Sequence, residues 1–249
     1  MKDRMFRESL GVAVILLFFG VAVQPSIAIV QLEEEVNANT KDYLFQTLID
    51  ISNHPDVKKF LEQYENDWKN NNGFVNFDFD RTISRKILFR NPRLFRSLIF
   101  TKPSMSYEYL DSVYRKGIKI TNILGEEKVL EILASIEVTN PEFFEKLNSI
   151  IMNDEELYDN IAKLEKMNHE CVSDFTWGFP IICAILLLIT ITSYIRAEIF
   201  MTVYDFVEYY PFLHFLLYPL FLIFACRPFL ISNIIFAISW WLSCEWMFY

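Results

Sequence analysis

The sequence predicts a mostly α protein: a small helical extracytoplasmic domain followed by C-terminal transmembrane helices. Three observations predict it. Apolar residues recur three and four positions apart through residues 31–174, the pattern of helices packed on one face. After residue 175 charge nearly vanishes, leaving Arg196, Glu198, Asp205, Glu208, Arg227 and Glu245. Glycine is scarce, 6 in 249 residues, which disfavours a turn-rich β fold.

Residues 1–28 read as a signal peptide or an N-terminal anchor. Lys2, Arg4 and Arg7 precede the uncharged apolar run Leu10–Val23, and Ser26-Ile27-Ala28 gives a small-x-small end. Cleavage after Ala28 and retention as an anchor extended through Ala28-Ile29-Val30 are both open. The stretch Gly20-Val21-Ala22-Val23-Gln24-Pro25-Ser26-Ile27-Ala28 resembles the leader of uncharacterised exported, membrane-anchored archaeal proteins. The resemblance covers the leader alone and implies export.

Residues 31–174 form the predicted acidic helical domain. Leu44, Leu48 and Ile51 make the first stripe. Val57, Phe60, Leu61, Tyr64 and Trp68 make the second, between Pro55 and Asn71-Asn72-Gly73. Asn91-Pro92 starts a further helix. Val129, Leu130, Leu133 and Ile136 follow at helical spacing, and Asn140-Pro141-Glu142 opens a helix carrying Phe143, Leu147, Ile150 and Ile151. Asn153, with Glu156 three residues on, predicts an N-cap and capping box before Leu157, Ile161 and Leu164. All these stripes are expected to pack as core.

Three apolar segments follow. Residues 175–195 are uncharged over 21 positions, enough to cross a hydrocarbon core of about 30 Å. Residues 209–226 and 228–248 are expected to form a helical hairpin turning at Arg227-Pro228. Tyr209, Tyr210, Trp240, Trp241 and Trp246 lie near segment ends, where amphipathic rings favour the membrane interface. Lys2, Arg4 and Arg7 face Glu33-Glu34-Glu35 across the leader. The positive-inside rule therefore puts residues 31–174 outside the cytoplasm, and three further crossings put the C-terminus inside, in a multi-pass cell-membrane protein.

The soluble stretch 31–175 holds 26 acidic and 18 basic residues, which argues against nucleic acid as a partner. The lipid bilayer, a protein partner and a second copy of the chain are the expected partners. Cys171, Cys183, Cys226 and Cys244 show no disulfide framework, and no C-x-x-C pair marks a zinc site. His169-Glu170-Cys171 reads as a polar stub rather than a ligand set. No cofactor is expected.

The sharpest chemical motif is Phe74-Val75-Asn76-Phe77-Asp78-Phe79-Asp80-Arg81-Thr82. It resembles the first motif of haloacid-dehalogenase-type phosphatases. The resemblance implies Asp78 as nucleophile, Asp80 as acid/base and Mg²⁺ held by carboxylates. No buried strand alternating with helices follows Thr82, and Asp80 also suits an N-cap. His214 and Glu245 stand out as polar groups in or beside apolar segments.

Residues 81–119 hold ten bases against Glu108 and Asp111, between acidic flanks. In the helix after Pro92, Arg93, Arg96 and Ser97 share a face, with Leu94, Phe95, Leu98 and Ile99 turned away. Arg90, Arg93, Arg96 and Lys102 are thus candidates to meet a membrane surface or a partner. The alternative is that the apolar face is core and the bases meet the acidic flanks. The sequence favours a membrane-tethered extracytoplasmic interaction or scaffold domain. A membrane-anchored Mg-dependent hydrolase using Asp78 and Asp80, and a small transport or membrane-assembly subunit, are the alternatives.

Overall fold

The computed structural model describes residues 39–70, 82–134, 141–170, 179–208 and 227–248. The chain divides into two units, residues 1–42 and residues 43–249. Among the described residues the regular structure is helical, with no strand.

Helix α1 (residues 39–53) buries Leu44, Phe45, Leu48 and Ile51. Helix α2 (Pro55–Asn70) opens on Pro55, whose missing N–H costs nothing in a first turn, and buries Val57 and Phe60. Phe60 and Tyr64 lie 5.0 and 4.9 Å, centroid to centroid, from Phe143 of α7 (Pro141–Met152). That aromatic trio fixes α2 on α7, each pair within the range where rings attract beyond their buried area.

Helices α3 (Thr82–Arg90) and α4 (Pro92–Phe100) meet at Asn91. The Asn91 side chain accepts from the Leu94 N–H at 3.0 Å, which satisfies one of the free donors of α4. Ser106 caps α5 (Tyr107–Leu124) in the same way, accepting from the Tyr109 N–H. Gly125 ends α5 at φ 93°, a left-handed conformation that a side chain would strain, and its N–H bonds the Thr121 carbonyl at 2.8 Å. Helix α6 (Glu126–Ala134) then buries Val129, Ile132 and Leu133.

Helix α8 (Glu155–Glu170) buries Leu157, Ile161 and Leu164, as the stripe predicted. Its cap differs. Asp154, not Asn153, accepts from the Leu157 N–H at 2.9 Å. Both residue types cap well, but Asp154 is also tied to His54 at 3.2 Å, which joins the start of α8 to the α1–α2 corner.

Helix α9 (Ile181–Glu208) is the axis of the fold. Every residue from Ile181 to Ile199 is buried. Helices α5 and α10 (Arg227–Trp241) pack along it, with α4, α6 and α8 completing the cover. A helix apolar all round needs cover on every side, from protein or from lipid; over Ile181–Ile199 the protein supplies it. The cover is polar outside: Glu108, Arg115 and Lys119 of α5 are exposed. The approach of α5 is close. A Cβ built on Gly117 would lie 2.4 Å from the Leu188 carbonyl oxygen, so glycine is what lets the two backbones meet. Beside it, the Thr192 hydroxyl lies 3.2 Å from the Val113 carbonyl of α5 and 2.8 Å from Leu188 O of its own helix.

Ile181–Phe200 is the one stretch of the described helices long and apolar enough to cross a membrane. The expected span at 175–195 differs from it: the helix begins at Ile181 and runs on through Arg196 and Glu198 to Glu208. In place of a span at 228–248 stands α10, whose 15 residues reach about 22 Å, short of a hydrocarbon core of about 30 Å. Segment 209–226 lies outside the described residues. A multi-pass arrangement of three crossings is not supported. It would also need α9 and α10 to run parallel, whereas they are antiparallel: the C-terminal end of α10 lies against the start of α9.

A disulfide between Cys183 and Cys244 locks that end. Trp246, in a 3-10 turn (Glu245–Phe248), is buried and donates from Nε1 to the Cys183 carbonyl at 3.0 Å. The sequence reading saw no cysteine framework, and it set Trp246 at a membrane interface. Both change for one reason: the tail after α10 folds back onto α9.

Candidate functional site

Two surfaces and one buried polar cluster stand out. The first surface is a cleft of about 550 Å³ between α7 and α10, within the range of ligand-binding clefts. Helix α7 turns Phe143, Leu147 and Ile151 to the core, which leaves Glu145, Asn148 and Met152 exposed on its other side. Across from them, α10 presents Trp240 and Trp241. Trp240 is 57% exposed and Met152 52%. The Phe144 and Tyr158 rings lie 6.3 Å from Trp240 and Trp241 respectively and brace the two indoles. The tail shapes the rim. Ser243 takes φ 52°, and the Cys244 N–H bonds the Ser239 carbonyl at 2.9 Å. The disulfide then holds that turn to α9.

The second surface is the α3–α4 corner. Of the predicted site residues, Arg90, Arg93, Arg96 and Lys102 are all exposed there. The apolar side of α4 is core, with Leu94 and Leu98 buried. Arg90 Nη1 donates to the Ile123 carbonyl at 3.1 Å. Arg96 lies 5.9 Å above the Phe100 ring.

The buried cluster lies at the C-terminal end of α4. Lys116 Nζ donates to the Thr101 hydroxyl at 2.7 Å and to the Ser97 carbonyl at 3.3 Å, and Arg196 of α9 donates to the Thr101 carbonyl. The last carbonyls of a helix carry partial negative charge, so two cations cap α4 from α5 and α9. Burial, with Arg196 nearby, pushes Lys116 down to about 8. The cluster is a structural device: its cations are spent on helix carbonyls.

No family model, curated protein or solved structure matches this chain.

The remaining sequence candidates scatter. Asp78 and Asp80 lie outside the described residues, as does His214. Glu245 is exposed at the start of the 3-10 turn, not enclosed in an apolar helix. His169 and Glu170 end α8, while Cys171 lies outside the described residues. No group of three or more His, Cys, Asp or Glu poised for a metal occurs among the described residues. Sequence reasoning missed the cleft, Lys116 with Arg196, and the exposed aromatics of α3 and α4. The signal for the last was present: Phe89 and Phe100 fall on the basic side of their helices.

Proposed function

We propose that the chain is a membrane-tethered extracytoplasmic interaction domain that takes a protein partner in the α7–α10 cleft. The observation that carries the reading is Trp240, left more than half exposed beside Met152 in an open apolar cleft. Exposed tryptophan and methionine are enriched where proteins bind one another, and Glu145 and Asn148 give the cleft the polar rim such sites have. The extracytoplasmic setting is supported by the disulfide, since such bonds persist in oxidising compartments. The tether is supported by the leader run Leu10–Val23, retained as an anchor extended through Ala28-Ile29-Val30.

The test is affinity capture of the full chain from gently solubilised membranes, with wild type, Trp240→Asp and Arg93→Glu/Arg96→Glu run in parallel. The reading expects a protein held by wild type and by the arginine variant but lost with Trp240→Asp. Capture unchanged by Trp240→Asp would remove the cleft from the reading.

A further inference from the structure

We infer that the α3–α4 corner is a docking face for an anionic bilayer surface. This deepens the tethered reading and uses a different face from the cleft.

The pattern is the same on both helices. On α3, at 100° per residue, Lys86, Phe89 and Arg90 fall within one arc of about 100°. On α4, Arg93, Arg96 and Phe100 fall within about 60°. All six are exposed, Phe89 at 80% and Phe100 at 71%. On α4 the buried Leu94 and Leu98 lie opposite this arc, and on α3 the buried Ile83 and Ile87 flank it on the Arg90 side. The core takes these four residues and leaves both phenylalanines outside, a surplus that packing does not explain. Each stands among cations. Lys102 adds a fifth exposed base, and no Asp or Glu occurs between Arg81 and Tyr107.

Among the described residues no acidic side chain pairs with these bases: the ion pairs are His54–Asp154, Arg115–Asp111 and Lys128–Glu131, and none involves the five. Exposed rings beside unpaired cations suit one occupant above others. A bilayer interface takes the rings at the depth of its headgroups while anionic lipid meets the bases. A nucleic acid would also attract bases, but the soluble stretch is acidic overall. A second copy could offer its aromatic α7–α10 cleft, but Glu145 is the one acidic residue lining it, against five bases on this corner.

The test uses the full chain with Phe89→Trp, an exposed position where the substitution does not disturb the core. The protein is reconstituted into vesicles of zwitterionic lipid alone or with one-third anionic phosphatidylglycerol, each with and without acyl chains brominated near the headgroup. Subtracting wild type removes the 5 native tryptophans. Docking predicts bromine quenching of the introduced indole in anionic vesicles, lost in zwitterionic ones and weakened at 1 M salt, where the Debye length falls to about 3 Å. Each base near an anionic surface contributes roughly five-fold to partitioning, so adding Arg93→Glu and Arg96→Glu should cost at least about 25-fold in the anionic lipid needed for half-maximal quenching. Protein that floats with both vesicle types while its indole stays unquenched overturns the docking and leaves the tether standing. Protein that floats with neither overturns both. Quenching equal in both lipids, or unmoved by the two glutamates, also overturns it, because the bases would then do nothing. Circular dichroism of the glutamate variant excludes unfolding as the cause of a loss.

Discussion

Replacing Cys183 and Cys244 with alanine removes a covalent link that closes 61 residues of chain. Both positions are about 1% exposed, and alanine leaves no new polar group in the core. In the chain-entropy description the unfolded state regains conformations worth about 4 kcal/mol for a loop of that length. A chain of this size loses about 2–4 °C of midpoint per kcal/mol, so the variant should melt about 8–16 °C below wild type. The assay is thermal circular dichroism in one buffer, wild type against the double variant, each with and without a phosphine reductant. Wild type should fall to the variant's midpoint when reduced, and the variant should not respond. If wild type, shown oxidised by mass spectrometry, melts within a few degrees of the variant, the link adds nothing and the α9–α10 pairing stands on packing alone. If both thiols of protein secreted into an oxidising compartment react with maleimide, the bond itself is refuted.

Gly117→Ala should destabilise by about 1–3 kcal/mol or more, because the new methyl meets the Leu188 backbone rather than a yielding side chain; chemical denaturation reads this as a lower midpoint at unchanged slope. Lys116 makes stability depend on alkaline pH. Its folded pKa, about 8, lies below the unfolded value of 10.5, so between those pH values the unfolded chain binds more protons and stability rises with pH. Lys116→Met should flatten that rise in denaturation midpoints taken from pH 7.5 to 10. The Leu157 N–H, with His54 assisting, holds the Asp154 carboxyl below its ordinary range, so its contribution is present above that range and lost on acidification; Asp154→Ala should make the midpoint less sensitive to pH between about 5 and 3.

The helices were legible because each short helix is amphipathic and leaves its period in the chain. Leu44 with Leu48 and Ile51, Phe143 with Leu147 and Ile151, and Leu157 with Ile161 and Leu164 are all buried as their spacing implied. The same reasoning stopped at α9. A segment apolar on all sides has one signature whether lipid or protein covers it, and the sequence around 181–199 does not name the cover. The partners are remote: Val113 meets Thr192, and Cys183 meets Cys244, through tertiary folding that no local pattern records. The cap at Asp154 was missed by one residue because Asn153 is as good a cap in isolation; Asp154 is the one that also meets His54, a hundred residues away. The basic face was legible, and so was the place of Phe89 and Phe100 on it; their 80% and 71% exposure was not, since a stripe does not say which apolar residues the core leaves out.

The sheath around α9 also governs how the molecule can be made. Synthesis runs from the N-terminus, so α4, α5, α6 and α8 exist before α9 emerges, and the groove that receives it can form first. One side stays open until α10 has been added. Throughout that interval a 19-residue run of buried side chains, Ile181–Ile199, presents a flank that would stick to membranes, chaperones or other copies. A chain stopped short of residue 227 would remain in that state, and the quality-control machinery would meet it as an exposed greasy rod rather than as a shortened native domain.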